Sequence, residues 1–490
     1  MFAEPLPILT IGDPRLEEMA AEVAANDAAL QAELARLHAT LDDFRRRRGF
    51  GRAMAAPQVG IGKRVIVMNL GAGPVSLINP EIVWRSGDEF DVWDDCLSIP
   101  DRVVRVKRHC SVSLRYRDER GRARHWQRLP PDLAELLQHE VDHLDGILMT
   151  QRASGPDAVR PIEEHAALVG AGRPKPRLSL ERMAEAARSI DSVFRGSPQF
   201  ECDTLNDALG CQLTLKVETV NPIRSFKGRG ADYFVQKNGV ARRFVCASAG
   251  NWGQALAYAA RARGGSLVVF AGVNANPLKV DRMRRFGADV RLTGEDFDAA
   301  KHAARVYAEQ TGAWMVEDGK EPEISEGAGS IAVELLAEGA AFDAVFVPLG
   351  NGALLNGIAR WMKAASPATR IIGVCAEGAD CMRRSFEIGA PVEGKAATIA
   401  DGIGVRVPVP EAVSDMRGIV DEVRLVNDLE IIGAMRLLYT HLGQLVEPAG
   451  AAGVAAVVAA REEFANARVA TVLCGGNVTD QQVRDWIVTR

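Results

Sequence analysis

Residues 136–146 read "LLQHEVDHLDG", with His139 and His143 four positions apart. On a helix both imidazoles lie on one face and can serve a single metal ion. Glu140, between them, is placed to take a proton from a water at that ion, as in a metal hydrolase. Such a centre needs a third protein ligand and one open position. Downstream, "IEEH" at 162–165 offers Glu163, Glu164 and His165, but the Pro and Gly texture there reads as surface. Upstream, "DDCLSIP" presents Cys96 and "GRAMAAPQVGIG" presents Gln58. His109, Cys110 and His125 lie in charged, strand-like sequence and read as surface residues rather than a second metal cluster.

Outward from this helix the chain organises itself. The helical pattern runs from Pro130 to Leu148, with Pro131 and Asp132 as start signals. Before it come β-like runs between about 60 and 128, and residues 14–48, rich in Ala, Leu and Glu, predict one long helix ending in "RRRR" as a solvated terminus. Together these predict an α+β unit over residues 1–170. "GAGRPKPR" at 170–177 mixes Gly, Pro and charge as an exposed linker does, so a linker is expected over 171–177. From 178 to 490 the texture changes. "RRFVCAS", "SLVVFAG", "AVFVPLG", "RIIGVCAE" and "VATVLCGG" alternate with helical segments, which predicts an α/β unit around mostly parallel sheets. Several of these strands end in Gly- or Ser-rich turns, where open α/β sheets bind ligands. No internal repeat is visible, and the chain reads as two enzymes in tandem.

At 490 residues the chain exceeds one ordinary core. A net charge of −5 argues against a nucleic-acid-binding face. The start "MFAEPLPILTIGDP" lacks the basic and apolar regions of a signal peptide. No apolar stretch approaches the ~18 residues of a membrane span, and "GAAGVAAVVAA" from Gly450 reads as a buried helix. Eight cysteines without framework spacing fit a reducing compartment, so the cytoplasm is expected, with no nucleic-acid or membrane partner.

Gln58 in "GRAMAAPQVGIG", Cys96 in "DDCLSIP" and the His139–His143 helix, together with "ILTIGDPRL" and "DRVVRVKR", resemble the ordered motifs of the peptide deformylases over roughly residues 5–155. The resemblance implies that Cys96, His139 and His143 ligate one divalent metal, Fe2+ or Zn2+, with Glu140 as general base and acid. It implies also that the Gln58 amide and the Leu97 N–H stabilise the oxyanion. Departures bear on the substrate. Asp94 and Asp95 stand where the family usually has Glu-Gly, Arg52 and Ala53 stand within its G-x-G motif, and Asp132 replaces an apolar residue near the methionine pocket. A free N-formyl amino acid carries an α-carboxylate that peptides lack. Arg52 is accordingly expected to clamp such a carboxylate.

"NPIRSFKGRGA" places Lys227 just before a helix, and "ASAGNWGQALAYAA", "VPLGNGALLNGIARWMK", "VEPAGAAG" and "VLCGGN" follow in order. With "ETVNP", "TIADGIGV" and the helical entry "LSLERMAEAARSI", this set resembles the fold-type II pyridoxal-phosphate enzymes, in the serine/threonine dehydratase branch, over 178–490. The resemblance implies two parallel-sheet subdomains, bound pyridoxal 5'-phosphate and a homodimer formed through this half. Lys227 would bind the cofactor and move the α-proton. The Gly350, Asn351, Gly352, Ala353, Leu354 turn would hold its phosphate, although the family commonly has a glycine tetrad there. Asn251 would meet the 3′-oxygen, and the Ser248, Ala249, Gly250, Asn251 turn would hold the substrate carboxylate. Cys474 would face the ring nitrogen, a weak support for a protonated ring that favours β-elimination. Ala249 replaces the second-face serine of racemases, which argues against racemisation.

A formyl group turns an amine into an amide that cannot react with a pyridoxal enzyme. The two halves are thus expected to act in sequence, deformylating an N-formyl amino acid and then deaminating the freed, 3-hydroxy amino acid. A peptide deformylase fused to an independent dehydratase, or a dehydratase carrying a non-catalytic regulatory first half, are the alternatives.

Overall fold

A computed structural model describes residues 3–164, 168, 176–275, 277–295, 297–337 and 339–488. His165 and residues 171–175 of the expected linker lie outside the described residues. The chain divides into two compact units, the first Met1–Pro176 with Lys363–Ala368 and the second Arg177–Met362 with Thr369–Arg490.

In the first unit, β1 (Ala53–Ala55), β2 (Val65–Asn69), β3 (Pro74–Arg85), β6 (Val112–Arg117) and β7 (Ala123–Trp126) form one antiparallel sheet. β4 (Glu89–Cys96), β5 (Ile99–His109) and β8 (Val159–Pro161) form a second antiparallel sheet. Helix α2 (Pro131–Leu144) packs against β1 and β3 of the first sheet and β5 of the second. Pro131 fits the first helical turn, where its missing N–H costs nothing. Every residue from Asp132 to Leu144 is buried. Leu133, Leu137, Val141 and Leu144 join Ile66, Met68, Leu77 and Trp126 in the core, while His139, Glu140 and His143 occupy the remaining face. The helix stops four residues short of the expected Leu148 because the chain turns at Gly146, φ +72°, where a Cβ would sit 2.5 Å from the Glu17 carbonyl oxygen.

The helix expected over 14–48 is shorter: α1 spans Leu30–Arg48, preceded by a single 3-10 turn at Pro14–Glu17. Tertiary partners claim the intervening backbone. The Ala20 N–H donates to the Leu144 carbonyl, the Ala21 N–H to that of Gly62, and the Val23 N–H to Asn79 Oδ1. These bonds override the local helix propensity of an Ala-rich stretch. The Arg46–Arg48 end of α1 is exposed, as its sequence predicts.

The second unit contains two sheets. β15 (Ala344–Pro348), β16 (Arg370–Ala376), β17 (Glu422–Val426), β18 (Arg468–Leu473) and β10 (Gln212–Val217) are parallel, with the short β9 (Gln199–Phe200) antiparallel at the β10 edge. Their order is β17-β16-β15-β18-β10-β9. β11 (Phe244–Ala247), β12 (Leu267–Ala271), β13 (Asp289–Leu292) and β14 (Trp314–Met315) form a second, wholly parallel sheet in the order β13-β12-β11-β14. Both are covered by helices, among them Leu180–Ser189, capped by Ser179, and the almost wholly buried Pro448–Ala459. Central parallel strands lie buried on both faces, and Ala344–Pro348 and Leu267–Ala271 are buried throughout. Among the described residues no helix is long and apolar enough to cross a membrane.

Candidate active sites

In the first unit three elements converge. Cys96 ends β4 and leads into the Leu97–Ser98 turn before β5. His139 and His143 come from α2, and the ligand atoms of Cys96, His139 and His143 all lie within 4.8 Å of one another. Cys96 Sγ is 3.2 Å from His143 Nε2. Among the described residues this is the one group of at least three His, Cys, Asp or Glu side chains able to hold a metal ion. Its donor set, a sulfur and two imidazoles, suits Fe2+ or Zn2+. His139 Nδ1 is engaged by Asp94 Oδ2 at 3.0 Å, which turns its other ring nitrogen to the centre. Glu140 Oε2 is buried with no hydrogen-bond partner among the described residues, an acceptor suited to a water at the ion. Burial pushes the Glu140 carboxyl up to about 7, against the charges of His139 and Arg52.

Gln58 sits in the Ala56–Val59 turn after β1. Its Oε1 accepts from the Ala55 N–H at 2.9 Å, so its Nε2 faces Ser98 Oγ at 3.3 Å and Cys96 Sγ at 3.6 Å. Leu97 is buried beside the ligand cysteine. Arg52 does not stand alone. Its Nη2 donates to Glu135 Oε1 at 2.5 Å and its Nη1 to the Asp132 carbonyl at 3.2 Å, and its side chain is 25% exposed. Glu163 and Glu164 are exposed, and the His109 Nδ1 hydrogen bond goes to the Ser86 carbonyl.

Sequence reasoning counted Asp94 only as a family departure and missed the network behind it. Arg108, itself buried, donates to Asp94 Oδ2 at 2.7 Å and to Asp142 Oδ2 at 2.5 Å, and Arg152 donates to Asp142 Oδ1 at 2.8 Å. Burial alone would raise the Asp94 carboxyl, yet Arg108 and His139 bring it down to about 2. The available signal was strand periodicity, since Asp94 and Cys96 lie two apart on β4 and therefore share a face.

In the second unit Lys227 opens the Lys227–Asn238 helix and lines a cavity of about 320 Å³. The turn Ala247–Asn251, Asn351 and Cys474 line the same cavity. Lys227 Nζ donates to Asp318 Oδ2 at 2.5 Å and lies 4.6 Å from the centre of the Phe226 ring. Ser248 Oγ accepts from the N–H groups of Gly250 at 3.2 Å and Gly253 at 2.9 Å, which shapes the turn into the Asn251–Ala262 helix. Asn251 Nδ2 donates to Glu447 Oε1 at 2.6 Å, and its Oδ1 accepts from Asn477 Nδ2 at 2.8 Å. Gly350–Leu354 joins β15 to the Ala353–Ala365 helix, and Gly352 takes φ +93°, which few other residues adopt. Burial pushes the Cys474 thiol up, so it stays neutral, and its Sγ donates to the Ala449 carbonyl at 3.5 Å. One cavity thus brings together a lysine, a residue of the glycine turn and a neutral thiol, and its volume lies in the range of small-molecule sites. This donor arrangement fits pyridoxal phosphate. Sequence reasoning did not single out Asp318 or Glu447.

Comparison with known proteins finds a family for each half. The family model of pyridoxal-phosphate dependent enzymes matches residues 190–475, and that of polypeptide deformylases matches residues 5–158. The chain belongs to the pyridoxal-phosphate dependent enzyme family and carries a polypeptide deformylase domain ahead of that part. It is 34% identical over 322 residues to an L-threonine ammonia-lyase of Thermotoga maritima, covering 64% of this chain and 79% of that relative. It is 31% identical to an L-threo-3-hydroxyaspartate ammonia-lyase of a Pseudomonas species over 61% of this chain and 95% of the relative. Among solved structures it is similar to the processed form of threonine deaminase isoform 2 from Solanum lycopersicum, with 27% identity, a TM-score of 0.59, and coverage of 63% of this chain and 94% of that one. It is therefore an enzyme in both halves by family, a metal-dependent deformylase domain and a pyridoxal-phosphate-dependent ammonia-lyase part, with a divalent metal and pyridoxal phosphate as cofactors.

Proposed function

We propose that the chain is a bifunctional enzyme whose two domains, 1–170 and 178–490 joined by a linker at 171–177, act in sequence on one small molecule. The first removes the formyl group of an N-formyl amino acid. The second eliminates the β-hydroxyl of the freed 3-hydroxy amino acid, which ends as a 2-oxo acid and ammonia, and the chain pairs as a homodimer through this half. The observation that carries the reading is the presence, in one chain, of both side-chain sets: Cys96, His139 and His143 around Glu140, and Lys227 in a cavity with Cys474. The first reaction yields the free amine that the second requires.

In the first site Cys96, His139 and His143 would hold the divalent ion, which polarises the formyl oxygen and lowers the pKa of water. Glu140 takes the proton of the attacking water and returns it to the departing amine nitrogen. The Gln58 Nε2 and the Leu97 N–H donate to the oxygen that gains charge. Arg52 meets the substrate α-carboxylate alongside its present partner Glu135. In the second site pyridoxal phosphate, when bound, withdraws the electrons left behind at the α-carbon. Lys227 moves the α-proton. The Ser248–Asn251 turn would hold the carboxylate, Asn251 would orient the cofactor's 3′-oxygen, and N–H groups of Gly350–Leu354 would hold its phosphate. Cys474 would face the ring nitrogen as a neutral thiol, and Ala249 would provide no acid on the opposite face, both of which suit elimination.

A second reading, deformylation of formyl peptides by the first half, is favoured by the ion pair that already engages Arg52. It predicts turnover of formyl-methionyl peptides and little of free N-formyl amino acids. The deciding experiment incubates metal- and cofactor-loaded enzyme with a panel of N-formyl amino acids while formate and 2-oxo acid are recorded. Glu140→Ala should abolish both products from formylated substrate yet leave the free amino acid reactive. Lys227→Ala should leave only formate. Formate with no oxo acid from any compound would sink the sequential scheme.

A further inference from the structure

We propose that Asp318 is a second catalytic residue of the elimination, the acid that protonates the hydroxyl leaving the substrate β-carbon, and that Lys227 restores its proton. The proposal rests on the β-elimination reading above and deepens it.

Hydroxide is a poor leaving group, so an elimination of water needs a proton at the departing oxygen. The side chain supplying it must stand beside the group that works at the α-carbon, because the two bonds that break are on adjacent atoms. Asp318 is 7% exposed at its side chain, lines the cavity, and stands 2.5 Å from Lys227 Nζ. Its Oδ2 is also 3.5 Å from Asn351 Nδ2, while its Oδ1 is buried with no partner among the described residues. A carboxyl so placed needs either a cation or a proton. Other cations lining the cavity already have carboxylates: Lys279 has Asp401, Lys301 has Glu317 and Arg406 has Asp298. Glu447, the other buried acid there, is tied to Asn251 and Asn477. Asp318 and Lys227 therefore form a pair, in hydrogen-bond contact across which a proton can pass.

The step balances with that single proton. The pair starts as the Lys227 amine and the Asp318 acid. The Cα–H bond breaks, its proton goes to Lys227 Nζ, and its electron pair becomes the second bond between Cα and Cβ. The Cβ–O bond breaks with its electrons on oxygen, Asp318 gives that oxygen its proton, and water leaves. The Lys227 ammonium then returns a proton to Asp318 across their contact, so the protein is unchanged and the substrate has lost one water.

The test exploits the leaving group. Chloride departs without a proton, so Asp318→Asn should lower kcat/KM for serine and threonine by about 100-fold or more while that for 3-chloroalanine changes by less than about threefold. With carbon–oxygen cleavage slowed, α-proton removal becomes reversible. Serine recovered from D2O with the variant should therefore carry α-deuterium, read by mass, while serine recovered from wild type should not. Titration of apo-protein with pyridoxal phosphate, followed by absorbance, should give the wild-type affinity. Equal losses on serine and 3-chloroalanine, or no loss on serine, would overturn the proposal. So would loss of cofactor affinity in both Asp318→Asn and Asp318→Ser, which would make Asp318 a cofactor-binding residue. Wild-type enzyme inert towards serine, threonine and 3-chloroalanine alike would instead refute the elimination reading.

Discussion

Asp94 shows how a single side chain separates what a motif displays from what a site requires. The candidate ligands Cys96, His139 and His143, the proposed base Glu140 and the amide Gln58 are legible because each belongs to a short local pattern with its own chemistry. Asp94 acts through His139, 45 positions away, and through Arg108 on the paired strand, so its role depends on pairing rather than on neighbours in sequence. The same holds for Asp318, 91 positions from Lys227. By accepting from His139 Nδ1, Asp94 fixes the tautomer and direction of a ligand ring. Removing such an outer partner typically costs about 10–100-fold in metal affinity. Asp94→Ala is accordingly expected to keep all three ligands but to weaken Zn2+ or Fe2+ binding by about that factor, as measured by competition with a chelator. An affinity equal to wild type would mean that the Asp94 contact does not orient the ring.

At the level of elements, the strands and the metal helix follow the hydrophobic pattern, whereas the expected 14–48 helix does not survive. Nothing local in that Ala-rich stretch announces that the Asn79 side chain will bond both the N–H and the carbonyl of Val23. A comparable long-range tie joins three elements of the second unit. Arg229 on the Lys227–Asn238 helix is fully buried and donates to Glu334 on the Pro322–Leu335 helix at 2.7 and 2.8 Å, as does Lys216 of β10 at 2.7 Å. Burial would raise the Glu334 carboxyl, but these cations bring it down from 4.5 to about 2. A folded-state pKa below the unfolded one stabilises above the unfolded value and loses its effect as pH falls toward the folded value. Glu334→Gln should therefore lower stability by ~3 kcal/mol at pH 7, and the gap should roughly halve by pH 3. Urea denaturation of wild type and variant at both pH values measures it. A gap independent of pH would show that the loss comes from packing and not from the charge.

For the whole molecule, the proposed order of the two reactions follows from the nitrogen. As a formamide it is not nucleophilic enough to engage a pyridoxal cofactor, and as an amine it has nothing for a deformylase to cut. Each half is therefore blind to the other's substrate, and a single chain can carry both without competition between them. The chemistry requires only that the free amino acid leave the first site and enter the second, and it does not require that both sites sit on the same polypeptide. Glu140→Ala retains Lys227, and Lys227→Ala retains Glu140, so each variant is blocked at a different step. An equimolar mixture of the two, given an N-formyl 3-hydroxy amino acid, should release formate at once and 2-oxo acid after a lag, with free amino acid rising and falling between them. Either variant alone should give no oxo acid. Product sampling by chromatography resolves all three species over time. If the mixture makes formate and accumulates free amino acid that is never consumed, although the Glu140→Ala chain deaminates serine or threonine, then the two halves act on different molecules and the sequential reading fails.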